Sequence, residues 1–135
     1  INDSYNANPE SMNAALDSLV LFTQESGGSS WAFLGQMHEL GTESNALHAS
    51  VAAHAHELGI DHLVSIGTRA FAEGIPAHSA TTLHYCDDIS QALSLVSHCE
   101  PGDAVLVKAS RSEHFETLSQ GIEDLWKEKR GEDKK

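Results

Sequence analysis

An acid, a phenol and carboxamides stand close together at the start of the chain, in Asn2-Asp3-Ser4-Tyr5-Asn6-Ala7-Asn8-Pro9. Asn8 is a good helix N-cap, and Pro9 suits the first helical position, where its missing N–H is not needed. Capping explains these two and leaves Asp3, Tyr5 and Asn6 unexplained. Asp3 can accept ribose hydroxyls or balance a cation, while Tyr5 and Asn6 can offer a stacking face and amide hydrogen bonds to a base or peptide group. A loop between a strand end and a helix start sets such groups beside free helix N–H groups and the positive end of the helix dipole.

The cations are the second candidates, because they are scarce. Eight Lys and Arg face 20 Asp and Glu, for a net charge of −12. Five of the eight lie at the end: Lys127, Lys129, Arg130, Lys134 and Lys135. The body before them holds only Arg69, Lys108 and Arg111. Lys108 follows an apolar strand, so rigid backbone would present its ammonium to a phosphate or carboxylate. Arg111 adds a planar fork able to grip a carboxylate through two hydrogen bonds. The plainer alternative is that the two are solvated or paired with Asp87, Asp88 or Asp103. The acidic balance argues against a nucleic-acid or anionic-membrane surface.

Nine histidines raise the question of a metal. His54 and His56 are two apart, about 200° around a helix, so they do not converge on one ion as an i, i+4 pair would. His38, beside Glu39 in a loop, is better placed for function, and His48 fits a packing or hydrogen-bonding role. Cys86 and Cys99 lack the tight spacing of a redox or zinc motif and read as buried thiols. No phosphate-cradling G-x-x-x-x-G-K-[ST] loop is present.

The elements that must position these residues alternate along the chain. Met12, Ala15, Leu16, Leu19 and Val20 follow the helical rule, giving a helix from Pro9 to about Glu25. Trp31 to Leu34 reads as a buried strand, followed by a loop from Gly35 to Thr42. A helix follows from about Glu43 to Leu58, stopped by Gly59. Ile60 to Ile66 reads as a strand, Arg69 to Glu73 as a short helix, and Thr82 to Cys86 as a strand. Asp87 or Asp88 caps a helix carrying Ile89, Ala92, Leu93 and Val96. Ala104 to Val107 is the last marked strand, and Ser112 caps a helix through Phe115, Leu118, Ile122 and Leu125. Trp31 and Trp126 read as packing residues, and residues 128–135 as a frayed tail.

This alternation predicts one α/β domain over residues 1–135, Rossmann-like, with a mostly parallel sheet and helices on both faces. Ligands of such sheets bind outside the carboxyl ends of the strands. Asp3 to Asn8, Gln36 to Glu39, Thr68 with Arg69, and Lys108 to Arg111 all fall at such ends. No apolar run is long enough to span a membrane and no basic-then-apolar leader opens the chain, so a cytoplasmic location is expected.

Four segments in order carry a resemblance to a known family. Asp3-Ser4-Tyr5-Asn6-Ala7-Asn8-Pro9 with Glu10-Ser11-Met12, Leu34-Gly35-Gln36-Met37-His38-Glu39-Leu40-Gly41, His48 with Val51, and Val107-Lys108-Ala109-Ser110-Arg111 together resemble the C-terminal domain of the Mur ligases. Gln36 stands where that family usually has an acid, and Ala109 where it has a glycine. The resemblance is strongest to the branch that adds D-alanyl-D-alanine to a UDP-N-acetylmuramoyl-tripeptide. It implies a third domain of a larger ligase, lacking the N-terminal and central domains and inactive alone. ATP and Mg2+ would be bound mainly by the missing central domain. By this resemblance Asp3, Asn6 and Asn8 face the nucleotide side, with Tyr5 beside them, and Lys108, Ser110 and Arg111 face substrate or phosphate. Arg69, Gln36, His38, Glu39 and His48 join as second-rank contacts.

Other classes fit less well. A dinucleotide-binding domain would carry G-x-G-x-x-G after its first strand, which is absent. A receiver domain would carry a phosphorylatable Asp after the third strand, where Ile66-Gly67-Thr68 stands. A stand-alone nucleotide- or protein-binding module keeps the same architecture, since fold alone does not decide function.

Overall fold

The computed structural model describes residues 8–37 and 41–108. Asp3, Tyr5, Asn6, His38, Glu39, Ser110, Arg111, the helix expected after Ser112 and the tail 128–135 lie outside the described residues.

Helix α1, Pro9–Ser26, begins as its sequence requires. Asn8 adopts an extended conformation, and its side chain accepts the Ser11 N–H at 2.8 Å. The Ser11 hydroxyl in turn accepts the Asn8 N–H at 3.1 Å, closing a capping box with serine in the place of the usual Glu or Gln. Such a cap is worth about 1 kcal/mol. Met12, Ala15, Leu16 and Leu19 form the buried stripe.

Strand β1, Ser30–Gly35, is buried along its whole length. Helix α2, Ser44–Leu58, follows a single 3-10 turn at Gly41–Glu43. It ends at Leu58 with Gly59 as its stop, as the sequence reads, whereas the strand expected from Ile60 starts later. Gly59 takes φ +77°, its N–H donates to His56 O, and the Ile60 N–H donates to Ala55 O at 3.1 Å. This is a Schellman stop, and it spends Ile60 on the helix. Strand β2 therefore begins at His62 and runs His62–Ile66.

Arg69 to Glu73 is likewise not a helix. One 3-10 turn, Ala72–Gly74, stands there, lying against the backbone of α2. Strand β3, Thr82–Cys86, helix α3, Ile89–Val96, and strand β4, Ala104–Lys108, complete the described chain. Asp88, not Asp87, caps α3, accepting the Gln91 N–H at 3.0 Å.

The four strands form one parallel sheet in the order β3-β2-β1-β4. Helices α1 and α2 cover one face, where Met12, Leu16, Leu19, Ala32, Leu34, Val51, Leu63, Phe71 and Leu106 meet. On the other, α3 brings Ala92 and Val96 against a cluster that includes Phe33, Val64, Cys86, Val105 and Val107. Both cysteines are buried free thiols, and burial raises the Cys86 pKa, with the nearby Asp88 and Asp87 carboxylates adding to the effect.

At the amino end of the sheet, a histidine pair gathers that sequence spacing does not reveal. The Trp31 ring stacks on His62 with centroids 3.9 Å apart, and His62 Nδ1 lies 3.1 Å from His84 Nε2. The Trp31 indole N–H donates to Asp103 at 3.0 Å. Loss of hydration lowers both imidazole pKa values below 6.5. At His62 this outweighs the opposing Asp61 and Asp103 charges, with His98 adding to the lowering. At His84, His62 and His98 act in the same direction as burial. The folded state then binds fewer protons than the unfolded state just below pH 6.5. The contribution is intact above that pH and is lost as pH falls through the lowered values. The urea midpoint should fall between pH 7.5 and 5.5, and His84→Leu should flatten that dependence; an unchanged slope would show that the pair does not govern it.

Candidate functional site

The topology marks one place on the sheet. From β1 the chain passes outward to β2 and β3, then returns to β4 on the other side of β1. Connections therefore diverge between β1 and β4, and the crevice outside their carboxyl ends is the topological switch point, where open α/β sheets take ligands. Helix α1 runs back toward the start of β1, so its capped N-terminus lies at this same edge.

Lys108 closes β4 at the crevice. It stands in register with Leu34, a residue of the face covered by α1 and α2, so its side chain enters that face. It is fully buried. Full burial rules out the solvated alternative. The acids weighed as its partners are committed to other bonds. Asp103, at the far end of β4, accepts from Ser29 N, Trp31 Nε1 and Glu100 N. Asp87 receives the Gln91 side-chain amide, and Asp88 caps α3.

Arg69, at the carboxyl end of β2, shares the edge without meeting Lys108. The two strands are separated by β1, about 10 Å at the usual strand spacing. The Arg69 guanidinium lies 3.8 Å over the Tyr85 ring, drawn toward β3 and away from the crevice. Below it, the Ser65 hydroxyl donates to Thr68 O and the Ala70 N–H donates to the Thr68 hydroxyl, fixing the turn that carries the arginine.

On the β1 side, Gln36 is half-buried and Met37 is buried. His48, from the second turn of α2, is fully buried with both ring nitrogens occupied. Its Nε2 accepts the Met37 N–H at 2.9 Å, and its Nδ1 lies 2.6 Å from the Ser44 carbonyl oxygen. A backbone N–H can only donate and a carbonyl can only accept, so the ring is neutral with its proton on Nδ1. Phe71 meets it edge-on at 5.0 Å. The other α2 histidines serve separate partners: His54 contacts Asp17 at 2.7 Å and His56 contacts Ser79 at 2.6 Å. Among the described residues, no three His, Cys, Asp or Glu side chains gather as a metal site.

The structure therefore brings Asn8, Gln36, His48, Arg69 and Lys108 to one edge and turns Arg69 and His48 away from a shared ligand. The sequence reading did not recognise the Met37 amide as the atom His48 holds. Its one available signal was a histidine thirteen residues beyond the end of an apolar strand.

A family profile described as "Mur ligase, glutamate ligase domain" matches residues 1–111. The chain belongs to the Mur ligase family. A UDP-N-acetylmuramoyl-tripeptide--D-alanyl-D-alanine ligase of Mycobacterium tuberculosis is 36% identical over 83% of this chain. Among solved structures, MurF from Acinetobacter baumannii superposes with a TM-score of 0.75 at 32% identity, over 90% of this chain and 27% of that one. A MurF ligase from Thermotoga maritima, solved in complex with ADP, gives 0.70 at 28% identity, over 90% of this chain and 27% of that one. The chain spans about a quarter of the length of the relatives it matches, 26% for the mycobacterial enzyme. The expected Mur ligase C-terminal architecture, an α/β domain with a parallel sheet and helices on both faces, is thus the one present.

Proposed function

We propose that this chain is the C-terminal, third domain of a cytoplasmic, ATP-dependent ligase that joins D-alanyl-D-alanine to a UDP-N-acetylmuramoyl-tripeptide during peptidoglycan precursor synthesis. The observation that carries this reading is that curated relatives 31 to 38% identical across most of the chain are named for that same reaction. ATP, when bound, supplies the phosphoryl group that activates the peptide carboxyl. Mg2+ and most nucleotide contacts are assigned to the central domain of that ligase.

The task of this chain is positioning. A domain that closes over the reacting groups orients them and excludes water, protecting an activated acyl group until the incoming amine attacks. Lys108 supplies positive charge at the crevice. The N-terminal end of α1, at the same edge, adds the positive end of its helix dipole. Asp3, Tyr5, Asn6, Ser110 and Arg111 belong to the two segments that flank this edge in sequence. Gln36, His38 and Glu39 belong to the loop leaving β1.

The test uses the full-length protein that contains this chain, supplied with ATP, the UDP-linked tripeptide and D-alanyl-D-alanine. One pentapeptide product, one ADP and one phosphate should form per turnover, and the 135-residue chain alone should form none. Full-length protein that accepts another amine and rejects D-alanyl-D-alanine would overturn the reading.

A further inference from the structure

His48 carries more structure than a packing residue needs. It sits fully buried on the α1 and α2 side of the sheet, where Val51 and Phe71 are also buried. An apolar side chain would fill that space without the cost of burying two polar nitrogens. Both nitrogens are instead matched to backbone groups, one on each side of the β1 to α2 connection. Nε2 takes the N–H of Met37, two residues beyond the end of β1, and Nδ1 gives its proton to the carbonyl of Ser44, the first residue of α2. The ring therefore bridges the two ends of the 37–44 segment. Phe71 presses on it from the turn after β2 and limits its rotation.

That segment leaves β1 at the switch point, where Lys108 closes the neighbouring strand. Without the bridge, a buried Met37 N–H would lose its acceptor, a loss that favours moving Met37 out of its present place. We infer that His48 is a positioning residue for ligation. It touches no substrate, and it ties Met37, and with it the adjoining Gln36, to the start of α2 beside the crevice. This inference rests on the proposed ligase function, and it assigns a neutral, proton-fixed imidazole to loop geometry rather than to acid–base chemistry.

Two polar replacements of similar size separate the two halves of the bridge. In His48→Asn, the side-chain amide can still donate to Ser44 O but stops short of Met37. In His48→Gln, the longer side chain can still accept the Met37 N–H. Both are made in the full-length protein, and kcat, KM and melting temperature are measured beside amide exchange of the peptide containing Met37.

His48→Asn should speed Met37 exchange at least about tenfold and lower kcat about tenfold to a hundredfold, the range expected when reacting groups are misplaced by an ångström or less. KM should change far less. His48→Gln should restore both exchange and kcat. An equal fall in both variants, or fast exchange with unchanged kcat, would overturn the assignment. Failure of the ligase reading has a separate signature, since the unsubstituted protein would then make no pentapeptide. Slow Met37 exchange in His48→Asn would overturn the bridge in either case.

Discussion

Lys108→Met in the full-length protein should lower ligation about a hundredfold or more, the scale of removing one preorganised donor from a developing negative charge. Methionine keeps the length and much of the volume of the lysine stem, so the replacement tests charge more than packing. The position matters because Lys108 is fully buried, closes β4 and faces the side covered by α1 and α2. Buried ammonium groups are rare unless partnered, and removing one leaves its partner groups unsatisfied. A fall in stability should therefore accompany the loss of activity, and melting temperature must be measured with turnover. Unchanged turnover would remove Lys108 from the reaction. A loss of activity that stabilising conditions fully reverse would make its role purely structural.

Gly74→Ala should be among the most destabilising single-methyl additions in the described fold. A Cβ at Gly74 would fall 2.0 Å from Ala49 O, 2.8 Å from Ala53 N and 2.8 Å from Ala52 Cβ. Two of these neighbours are backbone atoms of α2, so no side chain can rotate away. The turn must move off the helix, at a cost of about 2–3 kcal/mol by analogy with overpacked cores. Gly59→Ala is the control. Gly59 has φ +77° and open space around its missing Cβ, so alanine there meets backbone strain alone, about 1 kcal/mol. Urea midpoints of the two variants should order Gly74→Ala well below Gly59→Ala. The reverse order would show that the Ala72–Gly74 turn yields easily. Because that turn follows Phe71 directly, its displacement should also loosen the contact on His48.

Much of the architecture was legible because its signals are local. The stripe Met12, Ala15, Leu16 and Leu19, the Asn8-Pro9 start, the Gly59 stop and the short apolar runs each act within a few residues, and each appears where expected. The misreadings arose where neighbours decide. Ile60 has the composition of a strand residue, yet the helix end claims its N–H. Arg69 to Glu73 has helix-compatible residues, yet only Gly74 lets a turn lie directly on α2, and one 3-10 turn is all that fits.

The candidate site divides in the same way. The sequence alone determined that Asn8, Gln36, Arg69 and Lys108 stand at strand or helix ends on one edge of a parallel sheet. In an alternating α/β chain, strand direction and connection are set by local order. Only the tertiary structure decided that the crevice lies between β1 and β4, that Arg69 turns to Tyr85, that Lys108 is buried, and that His48 bonds Met37. Strand order and side-chain partners depend on packing between residues far apart in the chain. No periodicity or spacing encodes which of those contacts wins.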